Sequence, residues 1–168
     1  MSRLILAATL GASYGIYGPA YEECQVAALA LGSTEYADSE QFELKSWRWN
    51  LHGDVQNLIR SLNRARHENP ALQSNGQLFF HHIDNEHLIA FSKISNDGTS
   101  RILTVVNLDT QNVQCGWVDL TLDKLNLSPD CSFIALDLLT GERYTWHGSQ
   151  NYVALNPLPI PGHVLRLE

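Results

Sequence analysis

The chain has 168 residues, of which 44 % are hydrophobic, and its formal net charge is −7 with histidine neutral. This length suits one or two domains, and the apolar content suits a folded protein rather than a disordered one. The eleven Lys and Arg residues are scattered along the chain, so we expect no nucleic-acid partner. No apolar run reaches about 18 residues and no signal-peptide pattern is present, which predicts a cytoplasmic protein without a membrane partner.

The first third of the chain predicts two helices separated by a strand and a long loop. Residues 3–10 are rich in Leu and Ala, which favours a helix, and residues 14–17 follow a Gly-Ala-Ser turn as a predicted short buried strand. One face of a second helix carries five apolar residues at helical spacing: Val55, Leu58, Ile59, Leu62 and Ala65. This helix ends before Pro70, because a residue that precedes proline is pushed out of the α region. The order is that of the closing units of a (β/α)8 barrel.

From about residue 77 the apolar period changes to two, and turn residues divide the sequence into eight short runs. The predicted strands are 77–83, 87–94, 101–108, 113–120, 132–138, 142–146, 152–155 and 164–167. Such spacing favours an antiparallel sandwich. Residues 103–106 are apolar on both faces, as in a central strand. Three prolines at 157, 159 and 161 precede the last strand, which is therefore predicted at an edge.

Cysteine and histidine residues do not indicate a metal site or a cofactor. The three cysteines are widely spaced and lack Cys-x-x-Cys pairs: Cys24, Cys115 and Cys131. Their pattern is typical of reduced, buried thiols. His81 and His82 are adjacent in a predicted strand and point to opposite faces, so they cannot share a metal with His87. We therefore expect no cofactor.

Several short blocks along the chain carry a family resemblance. They include the segments 3–10, 14–17, 32–36, 68–72, 105–109 and 137–146. In this order the blocks resemble the C-terminal portion of bacterial maltosyltransferases of the α-amylase superfamily, in glycoside hydrolase family 13, which extend α-1,4-glucan from maltose 1-phosphate. The resemblance implies an α+β fragment: residues 1–75 as the end of a (β/α)8 barrel, and residues 76–168 as an all-β antiparallel sandwich, the amylase-type C-terminal domain.

The resemblance also implies where this chain would touch substrate. Loops that follow barrel strands line the active site, and residues 18–49 follow the last predicted barrel strand. The family carries a Lys-Tyr pair after the Ser-Glu of this loop, in contact with the donor disaccharide. Here the matching positions are Gln41 and Phe42, which are therefore the implied substrate-binding residues. Glutamine can still hydrogen-bond a hydroxyl group, and phenylalanine can still stack on a sugar.

Catalytic carboxylates are not implied in this chain, because the family's nucleophile and general acid lie upstream of the matched segment. Retaining glycosyl transfer needs two carboxyl groups roughly 5 to 5.5 Å apart. Acidic residues without a supporting motif are Glu22, Glu23, Asp38, Glu40, Glu43, Asp84 and Glu86. We interpret them as solvated surface, and we interpret residues 84–87 as a hairpin turn.

Three functional hypotheses remain open from the sequence. The leading one is the C-terminal fragment of a retaining α-glucan maltosyltransferase, inactive alone, whose parent enzyme uses maltose 1-phosphate and α-glucan. The second is a stand-alone carbohydrate-binding sandwich that holds glucan through Trp117 or Trp146, although aromatic residues in sandwiches more often belong to the core. The third is a partner subunit that completes a separately encoded barrel. Self-association is expected, because a lone barrel strand has exposed edges.

Overall fold

The computed structural model describes the chain except residues 26, 38–43, 45, 49–52 and 131. The chain divides into two compact units, residues 1–14 with 58–168 and residues 15–57. The helices are α1 (Ser2–Leu10), α2 (Gly18–Glu22) and α3 (Asp54–Glu68), with 3₁₀ turns at Pro70–Gln73 and Leu122–Leu125. In the described part of the chain, no helix has both the length and the apolarity that a membrane crossing requires.

Eight strands follow the helices. They are β1 (Leu78–Ile83), β2 (Leu88–Ile94), β3 (Arg101–Asn107), β4 (Gln114–Asp119), β5 (Ser132–Asp137), β6 (Arg143–His147), β7 (Gln150–Leu155) and β8 (Gly162–Leu167). Each strand expected from the period-two pattern is confirmed, with bounds that differ by at most two residues. Short apolar or alternating runs divided by turn residues are therefore enough to locate these strands.

All strand pairs are antiparallel, and the strand order is β6-β5-β8-β3-β2-β1-β4-β7. Strand β1 joins two parts of the sheet, because its first four residues pair with β2 and its last two residues pair with β4. The folded sheet encloses one apolar core, in which Leu103, Val105, Ala135 and Leu165 are fully buried. The predicted antiparallel sandwich is confirmed.

The outer face of the central strands is covered by helix rather than by water. Gly162 in β8 lies so close to α1 that an added Cβ would be 3.3 Å from Ile5 Cδ1. The Ser2 hydroxyl donates to the Asn107 carbonyl at the end of β3, at 2.8 Å. Lys93 in β2 donates to the Leu10 carbonyl at the end of α1, at 3.2 Å. Strands β2 and β3 are therefore buried on both faces, as predicted for residues 103–106.

The prediction of a strand at residues 14–17 is wrong. These residues form no strand, and Gly15 and Tyr17 are exposed. A parallel barrel strand is stable only between neighbouring strands, and the described residues contain no other barrel strand. A strand-like apolar pattern without a pairing partner therefore stays irregular.

The prediction that the last strand lies at an edge is also wrong. Strand β8 lies between β3 and β5 and is hydrogen-bonded to both. The three prolines stand before the strand, which begins at Gly162, so they remove no hydrogen bond from its ladders. Val164, Leu165 and Leu167 are buried, which a central position requires.

The smaller unit, residues 15–57, has little regular structure. Helix α2 is followed by an isolated antiparallel bridge between Ala28 and Tyr36. The rings of Tyr17 and Tyr36 stack with centroids 5.6 Å apart. Glu23 accepts a hydrogen bond from the Arg48 backbone N–H at 3.0 Å and lies 3.5 Å from the Arg48 Nε.

Candidate functional site

The two residues that the resemblance implies for substrate binding, Gln41 and Phe42, lie outside the described residues. The same holds for Asp38, Glu40 and Glu43. Their roles therefore stay predictions.

The acidic tetrapeptide 84–87 connects β1 to β2, so the predicted hairpin turn is confirmed. Asp84 Oδ1 accepts a hydrogen bond from the Trp117 backbone N–H at 2.6 Å. Asn85 donates to the Cys115 carbonyl at 2.9 Å. The turn thus binds the backbone of β4, which is a structural role.

His81 and His82 do lie on opposite faces of β1, because His81 is 7 % exposed and His82 is exposed. His81 Nε2 is 2.8 Å from the Ser92 hydroxyl, and its Nδ1 accepts from the Thr121 backbone N–H at 3.3 Å. Burial lowers the pKa of His81 below its ordinary value, and the nearby Asp119 opposes this only in part. No cluster of three potential metal ligands occurs in the described part of the chain.

The prediction of buried thiols is wrong for two of the three cysteines. Cys24 and Cys115 are exposed and not in disulfides. Cys115 points outward because it alternates in β4 with the buried Gly116 and Val118. Cys24 follows α2 with φ 56°. Cys131 lies outside the described residues.

The two tryptophans proposed as sugar-stacking residues have different environments. Trp146 in β6 is 8 % exposed and packs edge-on against Phe133 at 6.3 Å, so it is a core residue. Trp117 in β4 is 52 % exposed and meets Tyr152 of β7 at 5.5 Å between ring centroids. Of these two tryptophans, only Trp117 offers an exposed aromatic face.

A cavity of about 450 Å³ opens where β6 and β7 meet without pairing. A two-residue link joins these strands in sequence, yet β6 pairs only with β5, and β7 pairs only with β4. Strand β6 contributes Tyr144 and Trp146 to the cavity wall, and β7 contributes Tyr152. The loop 156–160 and His163 of β8 complete the wall. The volume is typical of small-molecule sites, which span about 300 to 1,000 Å³.

Polar groups in this cavity are held by their neighbours. His163 Nδ1 is 2.7 Å from the Asp137 carboxylate, which has no exposed surface. The Tyr144 ring packs against the His163 ring with centroids 5.6 Å apart, and its hydroxyl donates to Glu142. Burial and this hydrogen bond raise the pKa of Tyr144 far above its ordinary value.

Sequence reasoning missed this cavity. The segment 137–146 is one of the resembling blocks, but nothing in its sequence identifies Tyr144 as part of a cavity wall. The available signal was the spacing of the aromatic residues Tyr144, Trp146 and Tyr152 in two strands that follow one another in the sequence. That spacing says nothing of the long-range contact with His163, which depends on where β8 inserts into the sheet.

Solved structures with this fold include α-amylases. The maltogenic α-amylase AmyB from Thermotoga neapolitana matches with a TM-score of 0.54 and 14 % identity, covering 70 % of this chain and 26 % of that protein. The α-amylase from Geobacillus thermoleovorans matches with a TM-score of 0.53 and 14 % identity, covering 72 % of this chain and 24 % of that protein. At such identity the similarity concerns the fold alone, and it agrees with the predicted amylase-type sandwich.

The sequence relatives identify the family, which the solved structures do not. The chain is 42 % identical over 99 % of its length to the α-1,4-glucan:maltose-1-phosphate maltosyltransferase of Chlorobaculum tepidum, of which it covers 26 %. It is 39 % identical to the enzyme of the same name from Methylacidiphilum infernorum, with 99 % of this chain and 25 % of that protein covered. The chain thus spans about a quarter of the length of these curated relatives. The sequence profile of the family described as GLGE, C-terminal, matches residues 80–167. Because this match covers more than half of the chain, the chain belongs to that family, the C-terminal part of the maltosyltransferases named here.

Proposed function

We propose that the chain is the C-terminal part of a retaining maltosyltransferase that moves maltosyl units from maltose 1-phosphate to α-1,4-glucan. The observation that carries this proposal is 42 % identity over 99 % of the chain to an enzyme named for that donor and that acceptor. Residues 1–75 are then the end of the catalytic barrel, and residues 76–168 are the domain that follows it. The chain works in the cytoplasm, joined to or assembled with the rest of the barrel.

The chain is inactive alone in this proposal. A retaining mechanism needs two carboxyl groups that reach the same sugar. Three of the described carboxylates are engaged elsewhere: Asp137 is buried against His163, Asp84 binds the Trp117 backbone, and Glu23 meets Arg48. These contacts support a scaffold role for the part of the chain that the structure describes.

A chimera tests the proposal. This chain replaces the matching quarter of the Chlorobaculum tepidum enzyme, and phosphate release from maltose 1-phosphate is measured with glycogen as acceptor. We expect turnover by the chimera and none by the 168-residue chain above a no-protein control. Turnover by the chain alone would refute its inactivity. A folded chimera without turnover would refute the assignment to this reaction.

The same chimera tests the donor contacts proposed for Gln41 and Phe42. Phe42→Ala removes a stacking face and should lower kcat/KM for maltose 1-phosphate. The expected loss of transition-state stabilisation is about 1 to 3 kcal/mol. Gln41→Lys, which restores the family residue, should leave kcat/KM unchanged or raise it. Trp146→Ala is the comparison variant, because this residue is buried in the sandwich core. It should lower stability and, with glycogen saturating, leave kcat/KM for maltose 1-phosphate per folded molecule nearly unchanged. Equal losses for Phe42→Ala and Trp146→Ala would mean that the loop assignment is wrong or that the sandwich itself binds substrate.

A further inference from the structure

The cavity between β6 and β7 has the surface chemistry of a carbohydrate site. Sugar rings present apolar C–H faces, which pack on aromatic rings, and a rim of hydroxyl groups, which need hydrogen-bonding partners. Tyr144, Trp146 and Tyr152 supply aromatic surface to the cavity wall. Glu142 and the Thr140 hydroxyl line the same wall and can accept or exchange hydrogen bonds with hydroxyl groups.

Polar groups here are also preorganised. His163 is positioned by the buried Asp137 carboxylate at 2.7 Å. Asp137 is itself held by the Leu139 backbone N–H, which donates to its Oδ1 at 2.9 Å. Side chains whose own geometry is fixed lose little freedom when a ligand binds, which favours specific recognition.

The charge of the cavity wall distinguishes between the two substrates of the proposed reaction, maltose 1-phosphate and α-glucan. Among the described residues, the cavity wall contains the acid Glu142 and no Lys or Arg, and the whole chain carries −7. A sugar phosphate would meet like charge without a cationic partner, whereas a neutral glucan needs only hydrogen bonds and apolar contact. The cavity therefore suits the polymer and not the phosphorylated donor.

We propose that the cavity between β6 and β7 is a glucan-binding site that holds a segment of neutral α-glucan, separate from the active-site loop. The choice of α-glucan among neutral saccharides rests on the proposed function. A site of this kind keeps the polymeric acceptor on the enzyme between transfers. The sandwich then takes part in acceptor binding in addition to supporting the barrel.

Affinity electrophoresis of the 168-residue chain in native gels with and without glycogen tests this site. We expect glycogen to retard the chain, and we expect Tyr152→Ala to weaken the apparent affinity about tenfold by removing one stacking face. Tyr152 is 51 % exposed, so its truncation spares the core, and thermal melting checks the fold. Phe80→Ala is the matched control, because Phe80 is 60 % exposed on the same sandwich and does not line the cavity. It should bind as the wild type does.

Two further measurements distinguish glucan binding in the cavity from binding at the exposed Trp117 ring and from binding of phosphate. Trp117→Ala removes the exposed ring beside Tyr152 but outside the cavity wall, and it should weaken binding less than Tyr152→Ala does. Free maltoheptaose should compete with glycogen, while inorganic phosphate at equal concentration should not. The proposal would be overturned if glycogen did not retard the chain or if phosphate competed with it. It would also be overturned if Phe80→Ala lost as much glycogen affinity as Tyr152→Ala, or if Trp117→Ala lost more. Because the readout is binding by the chain itself, its failure leaves the chimera result intact, and an inactive chimera leaves glycogen binding intact.

Discussion

Arg66 connects three parts of the larger unit through backbone carbonyl groups. Its guanidinium donates to the carbonyls of Ala8, Gly11, Ala12 and Leu72. The guanidinium also lies 5.1 Å from the centre of the Tyr14 ring. A cation at the C-terminal end of α1 satisfies carbonyls that have no partner within the helix, and it is favoured by the helix dipole.

Arg66→Ala should therefore destabilise the chain by about 2 to 4 kcal/mol, since each hydrogen bond to a charged group contributes about 1.5 to 3 kcal/mol and the bonds are not additive. Arg64→Ala is the control, because Arg64 lies exposed in the same helix. It should change stability by no more than about 0.5 kcal/mol. Urea unfolding followed by circular dichroism measures both, and equal effects would show that the carbonyl contacts contribute little.

His81 should make the stability of the sandwich depend on pH. Thr121 N–H donates to Nδ1, so the ring must be neutral there with its proton on Nε2, facing Ser92. Burial places the folded-state pKa below the ordinary 6.5. As the pH falls below 6.5, the unfolded chain takes up the proton first, and stability is lost until the folded-state pKa is reached. Above pH 6.5 this contribution is fully present.

The test compares urea midpoints between pH 7.5 and 5 for His81→Gln and His82→Gln. His81→Gln should flatten this part of the profile, although it also removes buried hydrogen bonds and so lowers stability at pH 7.5. His82→Gln, on the exposed face of the same strand, should keep the wild-type slope. A wild-type slope in His81→Gln would assign the pH dependence to other groups.

At the scale of elements, the position of β8 organises the larger unit. Its insertion between β3 and β5 brings Gly162 against both the sheet and α1. A Cβ at Gly162 would lie 2.7 Å from the Val105 carbonyl oxygen and 3.3 Å from Ile5 Cδ1. Neither the central strand nor the packed helix can move freely to make room, because both are buried.

Gly162→Ala should consequently destabilise the chain by about 1 to 3 kcal/mol through overpacking. Gly15→Ala is the control, since an added Cβ at Gly15 has nothing within 4 Å. Thermal unfolding of the two variants gives the comparison. A Gly162→Ala variant as stable as the wild type would mean that β8 is not clamped between β3 and α1.

At the scale of the whole molecule, we predict self-association of the isolated chain. Residues 15–57 expose Leu29, Leu31 and Leu44, of which the last two are fully exposed. Exposed apolar surface of this kind marks interaction sites or drives aggregation. Light scattering after size-exclusion chromatography should give a mass above 18.8 kDa that falls when Leu31 and Leu44 are replaced by Asp. Val113→Asp, at an exposed position of the larger unit, should leave the mass unchanged, and a monomeric wild type at all concentrations would contradict the prediction.

The candidate sites differ in how far the sequence could locate them. The hairpin at residues 84–87 followed from local turn residues and strand periodicity, and it is confirmed. The roles of Gln41 and Phe42 followed only from the family resemblance and stay predictions. The cavity could not be found from the sequence, because Tyr144 and Tyr152 become neighbours of His163 only once β8 takes its place in the sheet.

The sequence by itself determined where α1, α3 and the eight strands of the sandwich lie, but it missed α2 and predicted a strand at residues 14–17 that does not form. Apolar spacing reports local burial, so α1, α3 and all eight strands could be located within two residues. Tertiary structure decided the strand order, the central place of β8, the irregular conformation of residues 14–17 and the cavity between β6 and β7. The physical reason is that pairing partners lie far apart in the chain and are chosen by the joint packing of both sheet faces, which no local pattern encodes.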